Sequence, residues 1–186
     1  MLAGCAVGGG ASSVTRVPTP TWPSAAGAPG VTSASTAGWS QYRDPTYGYV
    51  AQFPSDATMY VAPVQSGTSL TSWRFASQQG GADTATLEVT ATTQANPGLC
   101  AQYTSGKPVT LAGGVTGYQQ DNLSGATSAS QPQVAVVVVH SGLLTIITLT
   151  GAAPASTFMQ RWGADWSHIL SAFQPGQGPA SAKPCA

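Results

Sequence analysis

The four residues Leu2-Ala3-Gly4-Cys5 are the part of the sequence whose types and spacing point most directly to chemistry. They have the form of a bacterial lipobox, in which the cysteine becomes the acylated first residue of a mature lipoprotein. A lipobox ordinarily follows a basic segment and an apolar segment, and four residues precede Cys5 here. Either the start site lies upstream, the chain has been trimmed, or the match is accidental. We predict lipidation of Cys5, which would anchor the protein extracytoplasmically on the bacterial cell membrane.

The sequence holds three cysteines, and an odd number in an exported protein leaves one thiol to explain. If Cys5 carries lipid, Cys100 and Cys185 remain as the one possible pair. Disulfides persist outside the cytoplasm, so we predict a Cys100–Cys185 disulfide that joins the C-terminal tail to the domain. The alternative is two unrelated thiols.

Acid–base chemistry has few candidate residues. His140 and His168 are the only side chains expected to titrate near neutral pH, and we predict His140 at a turn and His168 on the solvent face of a helix. Asp165, His168 and one of the serines could form a triad, but no G-x-S-x-G segment frames it. The histidines and cysteines lack metal-ligand spacing, and no glycine loop followed by Lys would hold a phosphate. We predict no catalytic residue, no metal and no cofactor.

Aromatic side chains are the remaining candidates for a binding site, because exposed aromatics often mark ligand surfaces. Trp22 stands alone in a polar stretch and is either a stray exposed ring or a binding contact. Asn122 begins a tripeptide with the form of a glycosylation sequon. Core packing explains Trp73 as well as binding does, so no ligand-binding residue is assigned. The candidates for a groove are Trp39, Trp73, Tyr103 and Tyr118.

Charge is scarce in this sequence. Charged residues make up 6% of it, and six Lys and Arg balance six Asp and Glu, whereas about 25% is typical of globular domains. Nucleic acid requires a basic footprint, and an anionic lipid surface requires a basic cluster. We therefore expect neither as a partner. The predicted membrane contact is the lipid on Cys5, and any protein or envelope partner stays unidentified.

Composition divides the chain into four parts. Residues 1–5 hold the lipobox, and residues 6–38, rich in Gly, Ser, Pro and Thr, predict a flexible linker because they carry too little apolar surface to fold. Residues 39–174 form one domain, and residues 175–186 form a Pro/Gly-rich tail. The most apolar stretch, 134–149, is short for a membrane span and is interrupted by His140, Ser141 and Gly142. It predicts two buried strands joined by a turn.

Two periodicities predict the fold class. Apolar residues alternate or run continuously in several short segments, which predicts strands at 47–53, 59–61, 70–76, 85–93, 109–111, 115–120, 133–139 and 143–150. In 157–173 they recur at spacings of three and four, which predicts an amphipathic helix. No helix is predicted between the middle strands. The expected fold is α+β, with a curved antiparallel sheet of about six to eight strands and the C-terminal helix packed on one face.

Both ends of the domain carry a family pattern. Tyr42, Asp44-Pro45, Gly48-Tyr49 and Phe53-Pro54 at the start, and Ile169-Leu170-Ser171-Ala172-Phe173 at the end, resemble the ends of PsbP-like domains, including LpqN-type bacterial lipoproteins. The apolar strand pair precedes the helix where the family has one. The resemblance implies a curved antiparallel sheet with helices on its faces and non-enzymatic accessory or binding roles. The family usually has more helix between the middle strands than this sequence predicts.

Together these features favour a non-catalytic, lipid-anchored lipoprotein that serves as a binding or accessory module for an envelope or membrane complex. Two alternatives stay open. An envelope hydrolase with a cryptic site would hold a histidine beside a carboxylate or serine in a deep pocket. A carrier of a small apolar ligand would hold a cavity between sheet and helix.

Overall fold

The computed structural model describes residues 22–33, 38–78, 83–103, 105–121, 131–152 and 154–185. These residues form two antiparallel sheets and two α-helices, so the predicted α+β class, with a C-terminal helix packed on a sheet, is confirmed. The helices are α1 (Pro97–Tyr103) and α2 (Phe158–Ala172). The strands are β1 (Val31–Ser33), β2 (Trp39–Arg43), β3 (Val50–Pro54), β4 (Thr58–Val61), β5 (Thr68–Ala76), β6 (Thr84–Thr92), β7 (Lys107–Thr110), β8 (Thr116–Asp121), β9 (Gln133–His140) and β10 (Leu143–Gly151).

The larger sheet is built around the apolar strands β9 and β10. It has seven strands in the order β4-β5-β6-β10-β9-β8-β7, so β9 and β10 have neighbours on both sides. Ser141 and Gly142 connect them with φ of 46° and 73°, the left-handed backbone that a two-residue type I′ hairpin turn requires. The predicted pair of buried strands with a tight turn is confirmed.

One face of the seven-stranded sheet, here called the inner face, packs against the smaller sheet (β1-β2-β3) and α2. In α2, Phe158 and Trp162 are buried at the predicted spacing. Met159, which was expected on the same stripe, is instead 38% exposed, because a neighbouring residue lies about 100° further round a helix. Trp73 of β5 stacks on Phe53 of β3 with ring centroids 5.2 Å apart. This contact joins the two sheets.

Residues 22–33 contact the domain, although the composition predicts them as linker. Met59 N–H donates to Pro23 O at 2.9 Å, and Ala25 is fully buried. β1 pairs with β2 as the outer strand of the smaller sheet. Backbone hydrogen bonds and a few scattered apolar side chains make these contacts, so the sequence shows no apolar period there. Residues 1–21 and 34–37 of the predicted linker lie outside the described residues.

The short helix α1 lies on the outer face of the seven-stranded sheet, where the sequence pattern predicts no helix. The Oδ1 atom of Asn96 accepts the N–H of Leu99 at 3.0 Å, and Pro97 occupies the first turn, where its missing N–H has no helical partner to lose. Cys100 of α1 packs against Val137 of β9. A helix of seven residues is too short for apolar periodicity to reveal it, so the absence of a middle helix was a wrong prediction.

The C-terminal tail passes from the inner face, round the end of the sheet, to the outer face. Gln174 N–H donates to a carbonyl of β3 at 3.0 Å, and Gly178 N–H donates to Ser141 O at 2.9 Å at the β9–β10 turn. The sulfur atoms of Cys100 and Cys185 lie 2.02 Å apart, at disulfide distance, so the predicted pair joins the tail to α1. Among the described helices, none has the length and apolarity that crossing a bilayer would require.

Candidate functional site

The structure gives separate partners to the two residues that could have formed a catalytic pair. Asp165 is buried, and its carboxylate accepts a hydrogen bond from Ser77 Oγ at 3.2 Å. His168, about one turn further along α2, stacks on Trp39 with ring centroids 3.9 Å apart, and its Nε2 lies 2.9 Å from Gln52 Oε1. His168 is therefore half-buried against the smaller sheet. The prediction that it lies on the solvent face of the helix was wrong.

Burial shifts the pKa of both groups. It raises the pKa of Asp165 above the ordinary value of 3.8, and hydrogen bonds from Ser77 and the backbone of Gln78 oppose the shift. Burial lowers the pKa of His168 below 6.5, and the charge of Asp165 opposes that shift. In a Ser-His-Asp triad a carboxylate orients the imidazole, whereas here the polar partner of the ring is Gln52.

The other chemical candidates are dispersed. His140 ends β9 beside the tight turn, as predicted. Cys5 and the sequon at Asn122 lie outside the described residues. Within the described ranges, no three His, Cys, Asp or Glu side chains gather as a possible metal site. The layer between sheet and helix, where a carrier would need its cavity, is occupied by the buried rings of Phe75 and Trp162, whose centroids lie 6.1 Å apart.

The four aromatic residues suggested for a groove do not line one together. Trp73 is fully buried in the core, and Trp39 covers a histidine of α2. Tyr118 lies on the outer face of β8, near the opposite edge of the seven-stranded sheet from β4. The side chain of Tyr103 lies outside the described part of the chain.

A different pair of aromatic rings, Trp22 and Tyr60, lies at the β4 edge of the seven-stranded sheet. Their ring centroids are 6.1 Å apart and their planes are inclined by 44°. Tyr60 is 47% exposed, and the nearby Val61 and Val64 are 43% and 48% exposed. Of these residues, Trp22 and Tyr60 form a ring contact at the surface, and exposed aromatic groups often mark binding surfaces. This edge is therefore the strongest candidate for recognition in the described part of the molecule.

Two hollows flank Tyr60 on the outer face of the sheet. The first has a volume of about 450 Å³ and is lined by Trp22, Thr58 and Arg74, among others. The second has a volume of about 480 Å³ and is lined by Tyr60, Gln65 and Gln94, among others. Strand β5 runs beneath both of them. The two hollows, with these six residues, are called the β4–β5 groove below.

The sequence pattern missed the groove because β4 is short. Of its four residues Thr58–Val61, Met59 alone is buried, and alternation over four positions does not show which face of a strand meets water. Trp22 was the available signal, since it is a lone aromatic in a polar stretch. Its interpretation as a binding contact was one of the two that the sequence left open.

Comparison with known proteins finds no relative for this chain. No protein-family model matches it, no curated protein matches it, and no solved structure matches it. Any function must therefore be argued from the fold and the β4–β5 groove.

Proposed function

We propose that the protein is a non-catalytic lipoprotein, anchored on the extracytoplasmic side of the bacterial cell membrane through Cys5, whose domain is a binding or accessory module for an envelope or membrane complex. The β4–β5 groove is the observation that carries this proposal. It combines the exposed ring of Tyr60 and the half-buried ring of Trp22 with adjacent hydrogen-bonding groups, which is the make-up of a recognition surface. The resemblance to PsbP-like and LpqN-type proteins stays a prediction that agrees with this role.

The cysteines support the proposed location. A Cys100–Cys185 pair at disulfide distance suits a compartment in which disulfides persist. It also leaves Cys5 as the third cysteine, available for acylation. Each buried CH₂ of a lipid chain contributes about 0.8 kcal/mol, and stable anchoring takes two signals. Lipidation by two or more chains would hold the domain at the membrane without any basic surface.

Acyl labelling tests the anchor. The complete reading frame is expressed in a bacterial host supplied with an alkyne analogue of palmitate, and the protein is followed in membrane and soluble fractions. Cys5→Ala should lose the label and move to the soluble fraction. Cys185→Ala is the matched control and should keep both the label and the membrane location. A label that persists in the Cys5 variant, or an unlabelled wild type in the soluble fraction, would contradict the anchor.

Photocrosslinking in intact cells tests the binding role. A photoreactive benzoylphenylalanine replaces Tyr60 in one variant and Met159 in the control, because Met159 is also an exposed apolar residue but lies on α2, away from the groove. Position 60 should give discrete adducts of higher mass, and position 159 should give none. Equal adducts at the two positions, or none at position 60, would contradict a binding role for the groove.

A further inference from the structure

Each hollow of the β4–β5 groove has its own aromatic ring and its own polar side chains. The first hollow places Trp22 with Asp56 and Arg74. The second places Tyr60 with Gln65 and Gln94. Carboxylate, guanidinium and amide groups offer flat sets of hydrogen-bond donors and acceptors. The same combination of ring and planar polar groups thus occurs twice along one groove.

The sheet beside the groove presents hydroxyl groups in register. The outer face of β6 and β10 continues the surface of β5, and its side chains are partly exposed. Next to the second hollow, the hydroxyl groups of Thr68 and Thr92 lie 2.8 Å apart and share a hydrogen bond. One cross-strand row consists of Thr58, Arg74, Thr86 and Thr150. This face is polar with few charges, as the composition of the chain requires.

We propose that the β4–β5 groove binds a linear, uncharged polysaccharide of the cell envelope. A sugar ring has a C–H face, which packs on an aromatic ring, and a rim of hydroxyl groups, which both donate and accept hydrogen bonds. Trp22 and Tyr60 supply the apolar contacts. The polar side chains of the two hollows and the threonines on the outer face of the sheet supply partners for the hydroxyl groups.

Charge favours an uncharged polymer over the other ligands of an envelope. The first hollow holds one acidic and one basic side chain, Asp56 and Arg74, and the whole chain has a formal net charge of zero. An anionic polymer would require a basic stripe, and an anionic lipid surface would require a cluster of Lys and Arg. Hydrogen bonding to neutral hydroxyl groups is the chemistry that this lining offers.

The length of the groove favours a polymer over a single sugar. Strand β5 runs beneath it from Thr68, in the second hollow, to Ala76, in the first. Eight residue steps at about 3.3 Å per residue give about 26 Å. A linear chain is therefore required to contact both hollows at once, with Tyr60 between them.

A sedimentation assay tests this inference, which rests on the proposed role as a binding module. The full chain is incubated with the insoluble wall fraction of the organism that carries the gene, which holds wall polysaccharide with its attached proteins, and the bound fraction is measured. Tyr60→Ala should weaken binding about tenfold, the loss expected for one aromatic contact. Tyr60→Phe should stay within about twofold because it keeps the ring. Met159→Ala, the control outside the groove, should bind like the wild type.

Two further arms identify the ligand and protect the test against misfolding. Dilute acid cleaves glycosidic bonds much faster than peptide bonds, so treatment of the wall fraction with dilute acid should abolish binding, whereas protease treatment should leave it unchanged. Trp22→Ala should also lose about tenfold in affinity, which keeps the comparison informative if the Tyr60→Ala variant melts at a lower temperature.

Four results would overturn the inference: no binding, binding that survives dilute acid, binding that protease removes, and equal binding by the groove variants and the control. Loss to protease would assign the groove to a protein partner. A protein that is labelled at Cys5 but does not bind the polysaccharide would overturn this inference alone and leave the anchor standing.

Discussion

Replacing Cys100 and Cys185 together by Ala is expected to lower the free energy of unfolding by about 4.5 kcal/mol. The two cysteines are 85 residues apart in sequence, and the entropy of closing a loop grows slowly with its length. The expected loss lies between about 3 kcal/mol for a 15-residue loop and about 4.7 kcal/mol for a 100-residue loop. For a domain of this size, it corresponds to a fall in Tm of roughly 10–18 °C.

The structure also predicts which part of the chain is destabilised most when the disulfide is removed. Besides the disulfide, two hydrogen bonds hold the C-terminal part of the tail to the domain. They run from Gly178 N–H to Ser141 O and from Asn96 N–H to Pro184 O, and both are 2.9 Å long. Without the cross-link these two bonds should open more often. Hydrogen exchange should therefore accelerate at Asn96 and Gly178 and change little at Gln177, whose N–H is bonded to the turn between β2 and β3.

Differential scanning calorimetry provides the measurement, and the wild type under a thiol reductant is the matched control. The reduced wild type keeps both sulfur atoms, so any further loss in the double Ala variant measures their packing near Val137. A fall in Tm of less than about 3 °C in both samples would refute the loop-entropy reasoning. Unchanged exchange at Asn96 would refute the view that the disulfide holds the tail against α1.

Three further predictions concern α2 and the tight turn. The free energy of unfolding should fall as pH falls below about 6.5, because the pKa of His168 is lowered in the fold and the unfolded chain binds the proton first. In urea unfolding at a series of pH values, His168→Gln should reduce this dependence of stability on pH. Asp165→Asn should raise stability at neutral pH, because burial raises the pKa of Asp165 and disfavours its ionised form; the gain, measured in the same series, should shrink as pH falls through that raised pKa. Gly142→Ala should lower the free energy of unfolding by about 1–3 kcal/mol in the same assay, since φ is +73° and a Cβ would lie 2.9 Å from Pro179 O. The control Gly27→Ala should lower it less, because φ is +80° there but a Cβ would have no atom within 4 Å.

Each of these predictions has an outcome that contradicts it. An unchanged pH slope in the His168 variant would show that burial of this ring does not govern the acid side of the stability profile. An Asn variant less stable than the wild type at neutral pH would show that the Asp165 charge stabilises the fold. Equal losses in the two glycine variants would exclude the Pro179 contact as the cause.

The long periodic elements were predictable from sequence. Helix α2 was predicted at 157–173 and occupies Phe158–Ala172, because four turns with an apolar stripe leave a repeated signal. The strands β9 and β10 were predicted because their Val, Ile and Leu runs are long and a Ser-Gly turn separates them. The Cys100–Cys185 pair was predicted from the number of cysteines, since a lipidated Cys5 would leave one possible pairing.

Short elements and their partners were not predictable. Helix α1 rests on the Asn96 cap and on packing against β9, and neither makes a periodic pattern. Strand β1 and the contacts of Pro23 depend on backbone hydrogen bonds to distant strands. His168 was placed in solvent because a helical wheel shows the face of a residue but not which neighbour covers it, here Trp39 of β2.

The sequence by itself therefore determined the fold class, the two central strands, the C-terminal helix and a surface with few charges, because each depends on residue types summed over a long stretch. The tertiary structure alone decided that Asp165 and His168 face different partners. It alone placed Trp22 beside Tyr60, 38 positions away along the chain. The groove exists because the fold brings residues that are distant in sequence together at one edge of a sheet. A local sequence pattern contains no information about such long-range contacts.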